Sequence, residues 1–226
     1  MKTTVIAVDG YASTGKSTLS KRLANELGFT YIDTGFMYRA VSYFALKNGF
    51  LKEDYIQEDA LKEALHKTNF SWSKGKFSKL MLFNGSSYGD ELRTLEVSSW
   101  VSKIAGLGFV RDHLVHQQRV LSQLGSVVMD GRDIGTVVFP KADLKIFMTA
   151  SDQVRALRRK AELDSKGQDY SLNEVLENLK SRDKSDMERA DSPLIAASDA
   201  RILDNSEINR KEQFNLVLGW INELKN

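Results

Sequence analysis

Apolar and polar positions along this chain follow two periods, and the changes of period mark its elements. The run TTVIAV (Thr3 to Val8) is apolar and rich in β-branched residues, as expected of a strand buried on both faces. Leu19, Leu23 and Leu27 then recur at helical spacing and predict a helix over Ser17–Leu27. A short strand is expected at Thr30–Asp33, followed by helices at Phe36–Lys47 and Asp54–His66, the latter with Ile56, Ala60, Leu61 and Ala64 on its buried face. From Asn69 to Tyr88 the period drops to two, with turn signals at Lys74-Gly75-Lys76 and Asn84-Gly85-Ser86; this predicts a small antiparallel meander. Helical spacing returns over Leu92–Leu124 with a break near Gly106–Gly108. Strands at Ser126–Met129 and Leu144–Met148, helices at Asp152–Leu163 and Ser171–Lys184, a last strand around Ile202 and Leu203, and a helix at Ile208–Leu224 complete the pattern. Pro140 and Pro193 both fall in connections. Strands alternating with helices predict an α/β fold, a mostly parallel sheet with helices on both faces, into which the meander is inserted.

The first strand and helix are joined by DGYASTGKST (Asp9 to Thr18), which contains G-x-x-x-x-G-K-S, the pattern of a P-loop. Glycines at both ends let consecutive N–H groups converge on an anion, and the following helix N-terminus favours negative charge. Lys16 can reach the terminal phosphates of a nucleoside triphosphate, and the Ser17 hydroxyl can ligate Mg²⁺. Gly10, Tyr11, Ala12, Ser13, Thr14, Gly15, Lys16, Ser17 and Thr18 are therefore the candidate ATP-binding residues, with Lys16 expected to be an exposed loop lysine that contributes little packing. Charge adds little: 32 basic against 30 acidic residues leave +2, which gives no footprint for nucleic acid. There is no cysteine, no apolar run near 18 residues and no leader pattern before the first strand, so a cytoplasmic protein with no membrane partner, and a monomer, is expected.

A P-loop by itself does not specify a reaction. The N-K-x-D motif of a G protein is absent, whereas arginines collect beside predicted strand ends and on the late helices: Arg39, Arg111, Arg132, Arg155, Arg158, Arg159, Arg182 and Arg189. Phosphoryl transfer is driven by positioning and by charge stabilisation, and a small phosphorylated acceptor adds its own charge to the donor's. Guanidinium forks suit that task. Arg155, Arg158 and Arg159 share one helical face by their spacing, and with a P-loop upstream they read as a lid in preference to a solvated surface. Arg182 and Asp186, four apart, read equally well as a surface ion pair.

At these residues the chain resembles the bacterial-type cytidylate kinases, members of the nucleoside monophosphate kinases. The resemblance runs nearly end to end: the P-loop, DTGFMYRAV (Asp33 to Val41), the meander, LRTLEVSSWVSKIA (Leu92 to Ala105), FVR (Phe109 to Arg111), VVMDGRDIGTVVFPKADLKIFMTAS (Val127 to Ser151), RALRR (Arg155 to Arg159), and SRDKSDMERADSPL (Ser181 to Leu194) leading into DARILDNS (Asp199 to Ser206). It implies one P-loop kinase domain over 1–226, with 69–90 as a β insert in the monophosphate-binding region and 152–189 as a helical lid with its adjoining helix. It implies ATP as donor, CMP or dCMP as acceptor, and Mg²⁺. Thr34, Tyr38 and Arg39 would engage the monophosphate; Ser102, Arg111 and Asp133 would read cytosine; Arg182 and Asp186 would contact the sugar and Arg189 a phosphate, with Arg132 in the same set. Lys16, Arg39, Arg155, Arg158 and Arg159 would be catalytic, and Asp130 would orient Mg²⁺ through water. The chain departs from the family at Tyr11 and Ser13, where many relatives carry Pro and Gly, and at Lys184, where an arginine is common.

The base assignment has a physical rationale. Cytosine offers an amino donor at N4 and acceptors at N3 and O2, whereas uracil reverses the first two. An ionised Asp133 only accepts and Arg111 only donates, so both suit cytosine. Rival readings are a kinase for UMP or a shikimate-like acceptor, and a nucleotide-binding regulatory module without turnover. His66, His113 and His116 lack the companions of a metal site.

Overall fold

A computed structural model describes residues 3–53, 55–73, 80–123 and 125–224. In chain order the strands and helices are β1 Val5–Gly10, α1 Lys16–Leu27, β2 Thr30–Asp33, α2 Thr34–Lys47, β3 Leu51–Lys52, β4 Tyr55–Ile56, α3 Glu58–Leu65, β5 Phe70–Trp72, β6 Met81–Phe83, α4 Leu95–Ala105, α5 Gly108–Ser122, β7 Val127–Asp130, β8 Leu144–Thr149, α6 Asp152–Asp164, α7 Leu172–Glu188, β9 Arg201–Asp204 and α8 Arg210–Glu223. They form two compact units: Met1–Tyr31 with Gly125–Asn226, and Ile32–Leu124. No helix among the described residues is long and apolar enough to cross a membrane.

The first unit is built on the five-stranded sheet, in the order β2-β7-β1-β8-β9. β1 pairs in parallel with β7 (Val5 opposite Val127) and with β8 (Ile6 opposite Leu144), and β8 pairs in parallel with β9. Ile6, Ala7 and Val8 are all fully buried, so neither face of this central parallel strand meets solvent, which is why TTVIAV carries no alternation. The strand itself is displaced two residues towards the loop, ending at Gly10. Ile6, Val8, Leu19, Leu23, Val128, Ile146, Met148, Leu203, Phe214 and Val217 make its core. Capping boxes start α7 (Ser171 with Glu174) and α8 (Asn209 with Glu212), satisfying N-terminal amides that would otherwise lack acceptors. A smaller apolar cluster, Ala156, Leu163, Val175 and Leu179, holds α6 against α7 and takes in Ala12 of the loop.

In the second unit the antiparallel pair β5–β6 aligns Phe70 with Phe83 and Trp72 with Met81. Of the two turn signals, Lys74-Gly75-Lys76 lies outside the described residues. At the other, Asn84 and Gly85 both take left-handed backbone, the requirement of a tight two-residue reversal. Phe44, Phe70 and Phe83 pack edge-on or tilted around this pair. The helix expected from Asp54 begins only at Glu58. Leu51–Lys52 and Tyr55–Ile56 form a two-residue antiparallel ladder instead, beside left-handed backbone at Glu53.

Candidate functional site

The loop Gly10–Gly15 leaves the C-terminal end of the central strand and enters α1 at Lys16. Gly10 has φ 140°, and a Cβ there would sit 2.0 Å from the Met148 carbonyl oxygen, so no other residue fits. Ser13 is also left-handed, at φ 58°, which explains why glycine suits that position and places about 1 kcal/mol of strain in this chain's loop. Tyr11 is anchored by its N–H to Met148 O (3.3 Å) and by edge-on packing against Phe147.

Lys16 does not lie exposed on the loop, as the sequence suggested: it is buried. Its Nζ donates to Tyr11 O at 2.5 Å and to Thr14 Oγ1 at 3.5 Å. Burial pushes the ammonium well down from its ordinary range; Arg132 and Arg182 add to this and Asp130 and Asp9 oppose it. An arriving triphosphate would reverse the balance. The Ser17 hydroxyl donates to Asp130 Oδ2 (2.7 Å), and the Tyr31 hydroxyl donates to Asp130 Oδ1 (2.7 Å). A hydroxyl and a carboxylate this close are hard oxygen donors of the kind Mg²⁺ takes alongside water and phosphate, so these residues fit the ion.

After β7 the chain makes one π-helical turn, Ile134–Val138, with Val138 N bonded to Asp133 O and Phe139 N to Ile134 O. Asp9 suspends this turn: its two carboxylate oxygens accept from Ile134 N (2.8 Å) and Gly135 N (2.7 Å). The turn carries Arg132 and Asp133 at its start. Arg132 Nε donates to Asp186 on α7 (2.8 Å), and Arg189 lies 3.8 Å from Asp186 and 3.9 Å from Asp133. Asp186 is not half of a surface pair: it is buried, it accepts from Arg132, and the charge of Arg182 acts on it as well. Lys16, Ser17, Asp130, Arg132, Asp133, Arg182, Asp186 and Arg189 thus gather at the carboxyl ends of β1 and β7, where ligands bind in open parallel sheets.

Burial raises the Asp9 carboxyl from 3.8 to about 6 against the two amide bonds, with Asp133 raising it further and Lys16 lowering it. The folded chain therefore holds this proton where the unfolded chain has released it. The group's stabilising contribution is complete below pH 3.8 and is lost as pH rises through about 6, a difference of ~3 kcal/mol. Carbon-detected titration of the Asp9 carboxyl should give a midpoint near 6. A midpoint near 3.8 would show the group to be solvated.

The three arginines of α6 do not form one open face. Arg155 is buried: Nε donates to Ala150 O, one terminal nitrogen to Ala12 O and Asp183, the other to Asp152. The i, i+3, i+4 spacing fixes neighbours along a helix but not the side that meets the protein body, and Arg155 faces the loop and α7. Arg158 donates to Asn205 Oδ1 (2.8 Å) and to the Asn205 carbonyl (2.9 Å), and Arg159 pairs with Glu162 (2.8 Å).

Within the second unit, Thr34 opens α2, and Asp33 caps that helix by accepting from Phe36 N (2.8 Å) while holding Arg39 (3.2 Å). Tyr38 lies on the same helix, with the buried Arg111 of α5 5.8 Å from its ring centroid. Ser102 belongs to α4.

Four residues at the site are not singled out by sequence reasoning, although Asp9, Asp183 and Asn205 lie inside segments quoted above: Asp9, Tyr31, Asp183 and Asn205. Asp9 did carry a signal, an acid ending an apolar strand. Asn205 is buried and gives Nδ2 to the Thr14 carbonyl and to Gln213, so it ties the P-loop to the segment after β9.

The family model for cytidylate kinase matches residues 6–223. A cytidylate kinase of Flavobacterium johnsoniae is 50% identical over 226 residues, covering 99% of this chain and 98% of that protein. One from Phocaeicola vulgatus is 50% identical over 215 residues, 94% of each. An uncharacterised protein from Eubacterium ventriosum shares the fold, at TM-score 0.53 and 12% identity over 98% of this chain and 99% of that one. With the P-loop of Gly10–Lys16 and the DGRD segment of Asp130–Asp133 both within the matched span, the chain belongs to the cytidylate kinase family.

Proposed function

We propose that this kinase transfers the γ-phosphoryl group of ATP to CMP, and also to dCMP, giving ADP and the corresponding diphosphate. The observation that carries the reading is the pairing of a buried P-loop lysine with the Arg132–Asp186–Arg189–Asp133 network at the same strand ends. Neutralising two phosphate groups requires both. Lys16 leaves Tyr11 O for the donor phosphates, a shift that the phosphate charge favours. Arg39, Arg182 and Arg189 receive the acceptor, and Arg158 and Arg159 complete the screen over the donor. Ser17 and Asp130 would hold Mg²⁺, which when bound offsets charge on the β- and γ-phosphates. A monophosphate oxygen of CMP attacks the γ-phosphorus and the bond to the β-bridging oxygen breaks. The attacking CMP oxygen is already anionic, so no protein base is required, and the bridging oxygen departs as part of ADP.

The base is read by Asp133 as acceptor and Arg111 as donor. An ADP-release assay over CMP, dCMP, UMP, AMP, GMP and shikimate tests the reading, with kcat/KM expected to be highest for the two cytosine nucleotides. Asp133→Asn should then narrow the CMP-to-UMP ratio at least tenfold, because an amide can donate to uracil O4. An unchanged ratio in a folded, active variant would remove Asp133 from the base site. Turnover of UMP or shikimate in preference to CMP would overturn the substrate.

A further inference from the structure

Ala12 is the point at which the α6–α7 hairpin grips the P-loop. Its N–H donates to Asp183 Oδ1 (3.0 Å) and its carbonyl accepts from Arg155 (3.1 Å), while Arg155 and Asp183 bond to each other. Both charged side chains are buried, and the Ala12 methyl packs with Ala156, Leu163, Val175 and Leu179. One residue of the loop thus has both backbone groups and its side chain held by two helices. Three residues along α7 from Asp183, Asp186 holds Arg132.

We propose that Asp183 and Arg155 are positioning residues for the phosphate donor, fixing the first half of the loop so that the later amides and Lys16 meet the phosphates in register. The proposal rests on the P-loop being the ATP site. With the N–H and the C=O of one residue both held, the two peptide planes that flank Ala12 are each fixed, so the chain can neither rotate there nor slide. Ser13, left-handed and next in sequence, is the residue that would relax if the grip were lost. The charged pair is an unusual choice for a purely structural tie, because a buried ion pair can be replaced by apolar groups with little loss of stability. What apolar groups cannot do is bond the Ala12 amide and carbonyl.

The experiment uses the full chain. Calorimetry measures adenylyl imidodiphosphate and CMP binding separately, with steady-state kinetics and melting curves alongside, for the wild type, Asp183→Asn and the double variant Arg155→Met/Asp183→Leu. Asp183→Asn should weaken the ATP analogue tenfold or more and lower kcat at least tenfold, with CMP affinity within twofold of wild type. The double variant should fold, melting several degrees below the wild type because the buried Ala12 N–H and C=O lose their partners, and keep the donor defect; it carries the readout if Asp183→Asn fails to fold. Donor affinity and kcat within twofold of wild type in a folded variant would overturn the proposal. So would a double variant that regains donor affinity, or an equal fall in CMP affinity. Failure of the wild type itself to bind the analogue would overturn the donor-site reading and this inference with it.

Discussion

Lys16→Met is expected to lower kcat with CMP about 10³-fold or more while leaving the melting temperature unchanged or raised. The two halves of this result have one cause. Lys16 is buried with its ammonium pushed down by desolvation and by Arg132 and Arg182, so in the free protein its charge is a burden that methionine removes. Methionine keeps the volume of the stem and avoids the cavity that alanine would leave. In the ternary complex the same surroundings become an advantage. A cation that gains little from its own environment is most attracted by phosphate charge, and most of all by the charge of the transferring group. Single-turnover kinetics and thermal melts of the one variant measure both effects. Retention of a tenth of the wild-type rate, a loss of only about 1.4 kcal/mol, would remove Lys16 from the reacting phosphates.

Asp186→Ala is expected to cost ~3 kcal/mol of stability, or roughly 10 °C in Tm for a chain of this size. Burial alone would raise this carboxyl, but Arg132, Arg182 and Arg189 outweigh it and hold it below its ordinary range. Its contribution is present above pH 3.8 and is lost as pH falls through the lowered value. Removing it takes this carboxylate from both Arg132 and Arg189, each mostly buried, and leaves Arg189 with Asp133 and the Ser192 carbonyl. Saturating CMP, or inorganic phosphate at higher concentration, should restore several degrees by supplying the missing countercharge. A Tm within 2 °C of wild type would show that the arginines already have sufficient acceptors elsewhere, and phosphate would then have no differential effect.

What was legible in the sequence was local, and what was hidden was distant. Gly10, Gly15, Lys16 and Ser17 lie within eight residues, and their spacing marks the loop, though not the burial of Lys16. The β1 run and the leucines of α1 fixed strand, loop and helix to within two residues. The short ladder before α3 was missed because two-residue strands leave no periodicity to read. The contacts that shape the loop join Ala12 to Asp183, Thr14 to Asn205 and Asp9 to Ile134, all across more than a hundred residues, and a parallel sheet leaves no mark of such pairings in either partner. Burial of Lys16 and Arg155 follows from those pairings, so helix spacing could place the arginines beside one another but could not turn Arg155 inwards.

The order in which this chain is made does not match the order in which its sheet is joined. β1 leaves the ribosome long before its partners do: Val5 waits for Val127, and Ile6 for Leu144. At about 5–20 residues per second, more than a hundred residues represent roughly 6–25 s of synthesis. During that interval an apolar strand with two unpaired edges depends on chaperones or on its own helix for cover. The intervening unit, Ile32–Leu124, is complete before the partners of β1 exist. Its collapse shortens the loop that must close, lowering the entropic cost of joining the first strand to the seventh and eighth. The interval in which the phosphate-binding strand is most open to aggregation is therefore set by the length and folding speed of the segment that interrupts it.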